Sequence, residues 1–377
     1  VQNPPHPRHR LPGLEALRGL AALAVALHHI GVESFAPRLP LLPQAYLAVD
    51  LFFVLSGFVI ALAYEQEMRR GLSPAGFLRR RLIRLYPLFL LSLVLALLAA
   101  GLGWLLGVPL GGPFLLLAGL PAALLLLPLP LPATGHAWRP VVPLNPAAWS
   151  LSIEIWGNLF YALLLPWLKG RRLLLILGGA ALALIALRLG RHNSMNIGAG
   201  WYGYEAGWAR FAVGFTAGLL LCRLWQKGRV PTLCGWPLLL AAGAALVALW
   251  TGLGGGAVME LAAVLLLCPA VVLAGATIRL SGAAARLATQ LGRLSYPVYI
   301  LHWPMLYLAG VLLGAAEIDP RAAPVLSTLA LLTLVLLTAA VAERRVDRPL
   351  RAWLGRGGMP SPQAPAFAPA AALQQAR

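Results

Sequence analysis

Acidic residues, cysteine and long polar stretches are all scarce in this chain. Of 377 residues only 11% are charged, with 12 Asp+Glu against 30 Lys+Arg. A soluble domain carries about 25% charged residues, and with 60% hydrophobic residues and a mean hydropathy of +0.78 that class is excluded. The longest polar segments run to about twenty residues, too few to bury a core, so any chemistry must sit among the apolar spans. The three cysteines, Cys222, Cys234 and Cys268, lie in or beside apolar segments. They form no close pairing motif, so neither a disulfide framework nor a zinc site is indicated, and no metal is expected. The shortage of acid leaves a formal charge of +18. Its bases cluster between apolar runs instead of along one soluble surface, so they read as topology signals and no nucleic-acid partner is expected. Nor is there an evident internal repeat of the kind inverted-repeat transporters carry.

What fills the chain is Leu and Ala in runs of membrane length. Apolar spans at 13–31, 46–64, 86–107, 147–168, 172–189, 208–226, 235–252, 257–278, 294–315 and 323–342 predict an all-α, polytopic integral membrane protein with about ten transmembrane helices. An eleventh stretch, 112–131, is broken by Pro113, Pro121, Pro128, Pro130 and Pro132 and reads as re-entrant or as two half-helices. If it does not cross, the basic clusters Arg69 to Arg84, 169–172, Arg223 to Arg229, Arg279 to Arg293 and the segment from Arg344 all face the cytoplasm, as do both termini. The loops at 32–45, 132–146, 190–207 and 316–322 then face outward. Three parts are expected: a basic cytoplasmic arm at 1–12, a transmembrane domain at 13–352, and a disordered cytoplasmic tail at 353–377. The arm is too polar for a signal peptide, so the first helix is expected to be retained.

Within the spans a few polar residues stand out because hydrocarbon makes them costly. Arg18 and His29 are eleven residues apart, which at 100° per residue returns to within roughly 20° of one face and separates them by about 16 Å. They read as one track, or else as a snorkelling arginine and a packed histidine. His28 points roughly 80° away from that face. Asp50, near the outer end of the second span, is either a helix cap or the acceptor that orients His29. Trp149, Ser152 and Glu154 occupy the first turns of a span at the outer side, where Glu154 is a cap or a substrate contact. His302 lies well inside its span, as a packing residue or a catalyst. Arg81 and Arg84, spaced i, i+3 at the entry of a helix, are either an anchor to lipid headgroups or a grip on phosphate. Together with Arg18 they would suit a phosphorylated donor entering from the cytoplasm.

Several of these residues fall into ordered motifs: LRGLAALAVALHHIG around Arg18 and His29, VDLFFVLSGFVI with Asp50, Ser56 and Gly57, RLIRLYP with Arg81 and Arg84, and WSLSIE with Trp149, Ser152 and Glu154. LGRLSYPVYILHWPM with Ser295, Tyr296, His302, Trp303 and Pro304, and VDRPLR with Asp347 where Glu is usual, complete the series. From about residue 11 to 352 the chain resembles the membrane acyltransferase 3 family, which includes O-acetyltransferases of bacterial polysaccharides, lipopolysaccharide and peptidoglycan and enzymes that acylate macrolide sugars. The resemblance implies an integral inner-membrane enzyme that moves an acyl group, usually acetyl, from cytoplasmic acyl-CoA (acetyl-CoA) to a carbohydrate hydroxyl. It implies His29 as general base with Asp50 as its partner, and Arg18, Arg81 and Arg84 on the phosphates of acetyl-CoA. Trp149, Ser152, Glu154 and His302 would then meet the acceptor, a lipid-linked or polymeric glycan or a glycosylated metabolite. Direct attack and an acyl-enzyme relay both remain open. Family members joined to an extracellular esterase-like domain pass the group on; without that extension, direct transfer or a separate periplasmic partner is expected. Two other classes fit the buried charges, a secondary transporter and an export subunit for a glycan or anion, neither of which would release a thiol.

Overall fold

A computed structural model describes residues 11–34, 41–108, 113–130, 140–228, 230–231 and 234–356. Among these residues eleven longer helical segments follow one another: α1 Pro12–His28, α2 Ala45–Arg69, α3 Pro74–Leu105, α4 Pro113–Leu124, α5 Ala148–Trp167, α6 Gly170–Gly190, α7 Tyr204–Gln226, α8 Trp236–Trp250, α9 Ala257–Thr277, α10 Gly282–Ala315 and α11 Pro324–Gly355, with a 3-10 turn at Pro320–Ala322 between the last two. α1 runs on without a break as a π-helical turn over His29–Ser34. Among the described residues there is no strand, only an isolated bridge between Pro140 and Gly200. Seven helices among the described residues, α2, α3, α5, α6, α9, α10 and α11, are long and apolar enough to cross a membrane, and α8 is a shorter apolar helix. The chain is an all-α polytopic membrane protein. Residues 1–10 of the basic arm and 357–377 of the tail lie outside the described residues, whereas 353–355 are helical.

Several boundaries differ from the apolar runs that announce them. α3 begins twelve residues before the expected span at 86, because Ser73 caps it, its Oγ accepting from the Gly76 N–H at 3.1 Å, and Pro74 occupies the first turn. Arg81 and Arg84 therefore lie on the same continuous helix as the apolar span, as their i, i+3 spacing anticipates. α10 likewise starts at Gly282 instead of 294, and α11 carries the VDRPLR motif in its helical extension. Hydropathy alone misses these turns because their charged residues mask a helix that tertiary contacts hold. α4 has 12 residues, about 18 Å at 1.5 Å per residue, or roughly half the hydrocarbon thickness.

Close packing of small residues brings the central helices together. α2 crosses α7 at Gly57, Gly214 and Gly218; a Cβ on Gly57 would sit 2.0 Å from the Phe215 carbonyl oxygen and one on Gly218 2.1 Å from that of Val54. α1 lies along α10, where a Cβ on Gly292 would fall 1.9 Å from Glu15 Oε2. α3 also packs against α10. α2 is central, 72% of its apolar window being buried, while α6 is peripheral at 17% and turns Leu174, Leu175, Leu182 and Leu189 outward. Pro304, inside α10, has no N–H to give the Ile300 carbonyl. Asn145 supplies it instead, its Nδ2 donating to Ile300 O at 2.8 Å and to Ser92 Oγ at 2.9 Å. That repair ties the segment before α5 and the middle of α3 to the turn of α10 that bears His302.

Candidate active site

Three polar layers cross the bundle. The first belongs to arginine. Arg18 donates from Nε to Ser295 Oγ at 3.0 Å and from one terminal nitrogen to Glu15 Oε2 at 2.8 Å and the Gly292 carbonyl at 2.9 Å. The charges that act on it are Glu15, Arg84, Arg81 and Glu154, so the three predicted arginines do gather. Arg81 donates to Glu154 Oε1, which also accepts from Ser56 Oγ at 2.7 Å. The Arg81 Nε is buried with no acceptor. Arg84 is half-buried, interacts electrostatically with Arg18 and Asp347, and has no hydrogen-bond or ion-pair partner among the described residues. Arg18, Arg81 and Arg84 face Glu15 and Glu154 here, and Asp347, which acts on Arg84, is itself paired with Arg351, so the layer keeps positive charge for an anion.

The second layer belongs to histidine. His29 Nδ1 lies 2.9 Å from the Val25 carbonyl, and His302 Nδ1 lies 2.7 Å from that of Tyr299. Carbonyl oxygens only accept, so both rings carry their proton on Nδ1, and Nε2 is the basic nitrogen of each. His302 Nε2 stands 3.2 Å from His29 Nδ1, with ring centroids 5.0 Å apart and planes 25° from parallel. Trp303 and His28 pack on the His29 ring at 5.0 and 5.1 Å. His302 and His28 are fully buried, whereas His29 is partly open. His28 takes a different course, its Nδ1 lying 3.1 Å from the Leu42 carbonyl. Phe52 and Ser56, one turn apart on α2 and both partly exposed, lie between the layers: Phe52 meets Tyr299 edge-on and Ser56 meets Glu154. Arg18 and Glu154, 24% and 23% exposed, are open in the same way, while Arg81 is not.

The third layer overturns one expected pairing. Asp50 does not hold His29: its two oxygens accept from Nε and a terminal nitrogen of Arg210 at 2.9 and 2.7 Å, both residues being buried. Arg210 also donates to the carbonyls of Ile197 at 2.6 Å and Tyr46 at 3.2 Å, and its guanidinium lies 5.5 Å from the Trp149 ring centre. A bidentate guanidinium outcompetes a neutral imidazole for a buried carboxylate. Arg210 was legible in GWARFAVGF by the cost argument that marks Arg18. Glu260 is a second such site. It accepts from Arg188 Nε at 2.6 Å, from Ser194 Oγ and the Met195 N–H at 3.3 Å each, and from Tyr46 OH.

The four residues expected to meet an acceptor do not form one surface. Trp149 is buried under Arg210 and against Gly198, whose φ of +117° lets the loop after α6 lie on the indole. Ser152 is buried and donates to the Leu126 carbonyl at 2.6 Å. Glu154 sits in the arginine layer and His302 against His29. The helix explains the scatter: five residues turn Glu154 about 140° from Trp149 and carry it about 7.5 Å along the axis. Among the described residues no group of three or more His, Cys, Asp or Glu could hold a metal ion. A cleft of about 370 Å³ between α6, α7 and α9, lined by Leu177, Val213, Leu265 and other apolar residues, bears no polar side chain.

The sequence profile described as an acyltransferase domain, of the acyltransferase 3 family, matches residues 11–344. The chain is similar to Protein 2 in the picA locus of Rhizobium radiobacter, 39% identical over 170 residues, which are 43% of this chain and 84% of that protein. It is similar to acyltransferase MdmB of Streptomyces mycarofaciens, 37% identical over 94 residues, 23% of each chain. It is also 37% identical over 93 residues to O-acetyltransferase OatA of Staphylococcus aureus, 24% of this chain and 14% of that one. The chain thus spans less than a quarter of these last two relatives. No solved structure matches it. With the profile covering nearly its whole length, the chain belongs to the membrane acyltransferase 3 family.

Proposed function

We propose that this protein is an O-acyltransferase that moves an acyl group, acetyl in the first instance, from acyl-CoA to a hydroxyl of a cell-envelope or exported carbohydrate. The observation that carries the reading is the partly open line from Arg18, Arg84 and Glu154 past Ser56 and Phe52 to His29. In it an anion-binding end and a basic nitrogen lie about 16 Å apart along one helix. The guanidiniums of Arg18, Arg81 and Arg84 take the phosphates of acetyl-CoA at the cytoplasmic side of the inner membrane. Ser295, Glu15 and the Gly292 carbonyl hold Arg18 in place for them. The extended pantetheine arm then bridges the distance to His29. Glu154 belongs to this donor end, where its carboxylate keeps Arg81 oriented, and not to the acceptor.

In the transfer the acceptor hydroxyl gives its proton to Nε2 of His29 while its oxygen attacks the thioester carbonyl. The tetrahedral intermediate collapses with loss of the C–S bond. The leaving thiolate recovers the proton from the imidazolium, giving an ester and free CoA, and His29 returns to its starting tautomer. The acceptor arrives at the end of the bundle that holds Asp50 and Arg210, on the outer side of the membrane, with both termini in the cytoplasm. A separate periplasmic partner would take its place beside the same opening.

The test is thiol release from acetyl-CoA by purified protein in proteoliposomes, with methyl hexopyranosides or water as acceptor, for wild type and His29→Ala. Wild type should release thiol and the variant should lose at least about 100-fold, the usual weight of a general base. Near wild-type release by correctly inserted His29→Ala would remove the base assignment. No thiol release by wild type with any acceptor would favour a transporter.

A further inference from the structure

A base in a buried site needs something to fix its ring and to meet the proton it retains. Asp50, the carboxylate at hand in sequence, is engaged by Arg210. The Val25 carbonyl, 2.9 Å from His29 Nδ1, belongs to the same helix and carries no charge to meet the proton; the side chain in position is an imidazole, His302 presenting Nε2 to the same nitrogen at 3.2 Å. We propose that His302 is the positioning residue of the reaction, sharing the Nδ1–H of His29 with the Val25 carbonyl so that the ring is held with Nε2 as the basic nitrogen, and sharing the charge when His29 is protonated. This rests on His29 being the base.

Both nitrogens of His302 are used in doing so. Its Nδ1–H is fixed on the Tyr299 carbonyl at 2.7 Å, which leaves Nε2 as an acceptor and forbids the reverse donation. Tyr299 is itself held, its hydroxyl 2.6 Å from Ser150 Oγ and 3.1 Å from the Ala147 carbonyl. In the same turn, Asn145 holds the Ile300 carbonyl that Pro304 leaves free. The turn of α10 bearing His302 is thus pinned to the start of α5 at two points. His29 is confined by the stacked His302 ring on one hand and by Trp303 and His28 on others. The arrangement repeats the base and orienter of a hydrolase triad with a neutral ring where a carboxylate usually stands. A neutral imidazole is far less costly to bury at membrane depth than an unpaired carboxylate. It also accounts for a histidine whose two nitrogens both meet protein atoms, an awkward arrangement for a group meant to bind a sugar.

The experiment compares His302→Leu, which fills the space without an acceptor, and His302→Gln, whose terminal carbonyl reaches the Nε2 position. Both are read as thiol release from acetyl-CoA to water and to methyl hexopyranosides by full-length protein in proteoliposomes. Expected are a fall in kcat of about 100-fold for Leu with both acceptors, an acetyl-CoA KM within about twofold of wild type, and a Gln variant at least about tenfold faster than Leu. Equal rates for Leu and Gln, a wild-type rate for Leu, or a loss confined to the glycosides with hydrolysis untouched would each overturn the proposal, the last by making His302 an acceptor contact. If His302→Leu does not insert, His302→Asn replaces it. Its carbonyl stops short of the Nε2 position, so Gln must exceed Asn, and equality refutes. His29→Ala run alongside separates the two ideas, since an active His29→Ala sinks the base whatever His302 does.

Discussion

Replacing Asp50 with Asn decides whether that residue serves stability or the histidine. In the structure Arg210 is 1% and Asp50 0% exposed in their side chains, and they meet through two hydrogen bonds of 2.9 and 2.7 Å. Removing one member of such a pair leaves a buried uncompensated charge, at about 3 to 5 kcal/mol. The lower end applies here: the Asn amide oxygen still accepts one bond, the carbonyls of Ile197 and Tyr46 remain, and the Trp149 face adds about 0.5 to 2 kcal/mol of cation–π attraction. Asp50→Asn should therefore cost about 3 kcal/mol, a large share of the 5 to 15 kcal/mol typical of native proteins. Arg210→Gln should cost as much, by leaving the carboxylate alone. The double variant buries no charge, so its loss should fall short of the summed single losses by about 2 kcal/mol or more. SDS-titrated unfolding of the four proteins in mixed micelles measures the cycle. Losses below about 1 kcal/mol that simply add would refute the pairing. So would an Asp50→Asn protein of wild-type stability and abolished kcat, which would return Asp50 to His29.

Arg84 should behave in the opposite way. Having no hydrogen-bond or ion-pair partner among the described residues, its change to Gln should leave stability within about 0.5 kcal/mol, while loss of a charge-assisted contact to phosphate raises the acetyl-CoA KM about tenfold or more at unchanged kcat. An unchanged KM would take Arg84 out of the donor site. Gly218→Ala should destabilise by about 3 kcal/mol or more, because its Cβ would stand 2.1 Å from the Val54 carbonyl and 2.7 Å from the Phe58 nitrogen, backbone atoms that cannot move aside as a side chain can. A wild-type unfolding midpoint for that variant would contradict the close crossing of α2 and α7.

The placements that follow from the sequence and the pairings that do not differ in one physical respect. Arg18 and His29 share a helix, so their common face and spacing follow from the 100° rotation and 1.5 Å rise of that helix alone. Asp50 and Arg210 are 160 positions apart, His29 and His302 are 273, and Arg81 and Glu154 are 73. No periodicity within one segment carries those pairings, and ordered motifs mark residues without saying which of them touch. A rule for the pairings is nonetheless implicit in the composition, in the same scarcity that sets the fold class. With 12 acids to 30 Lys+Arg, arginine is in excess wherever a carboxylate is found inside the bundle. Asp50 accordingly meets Arg210, Glu65 meets Arg69 and Arg223, Glu154 meets Arg81, and Glu260 meets Arg188. Glu343 and Asp347 go to Arg348 and Arg351. A guanidinium is always charged and binds a carboxylate through two bonds, so it takes precedence over a neutral ring. In such a chain an acid near a histidine in sequence is a weak sign that the two meet, and a second histidine becomes the economical orienter. His302, the polar residue of α10 with no nearby charge in sequence, was for that reason the better candidate to face His29 than Asp50.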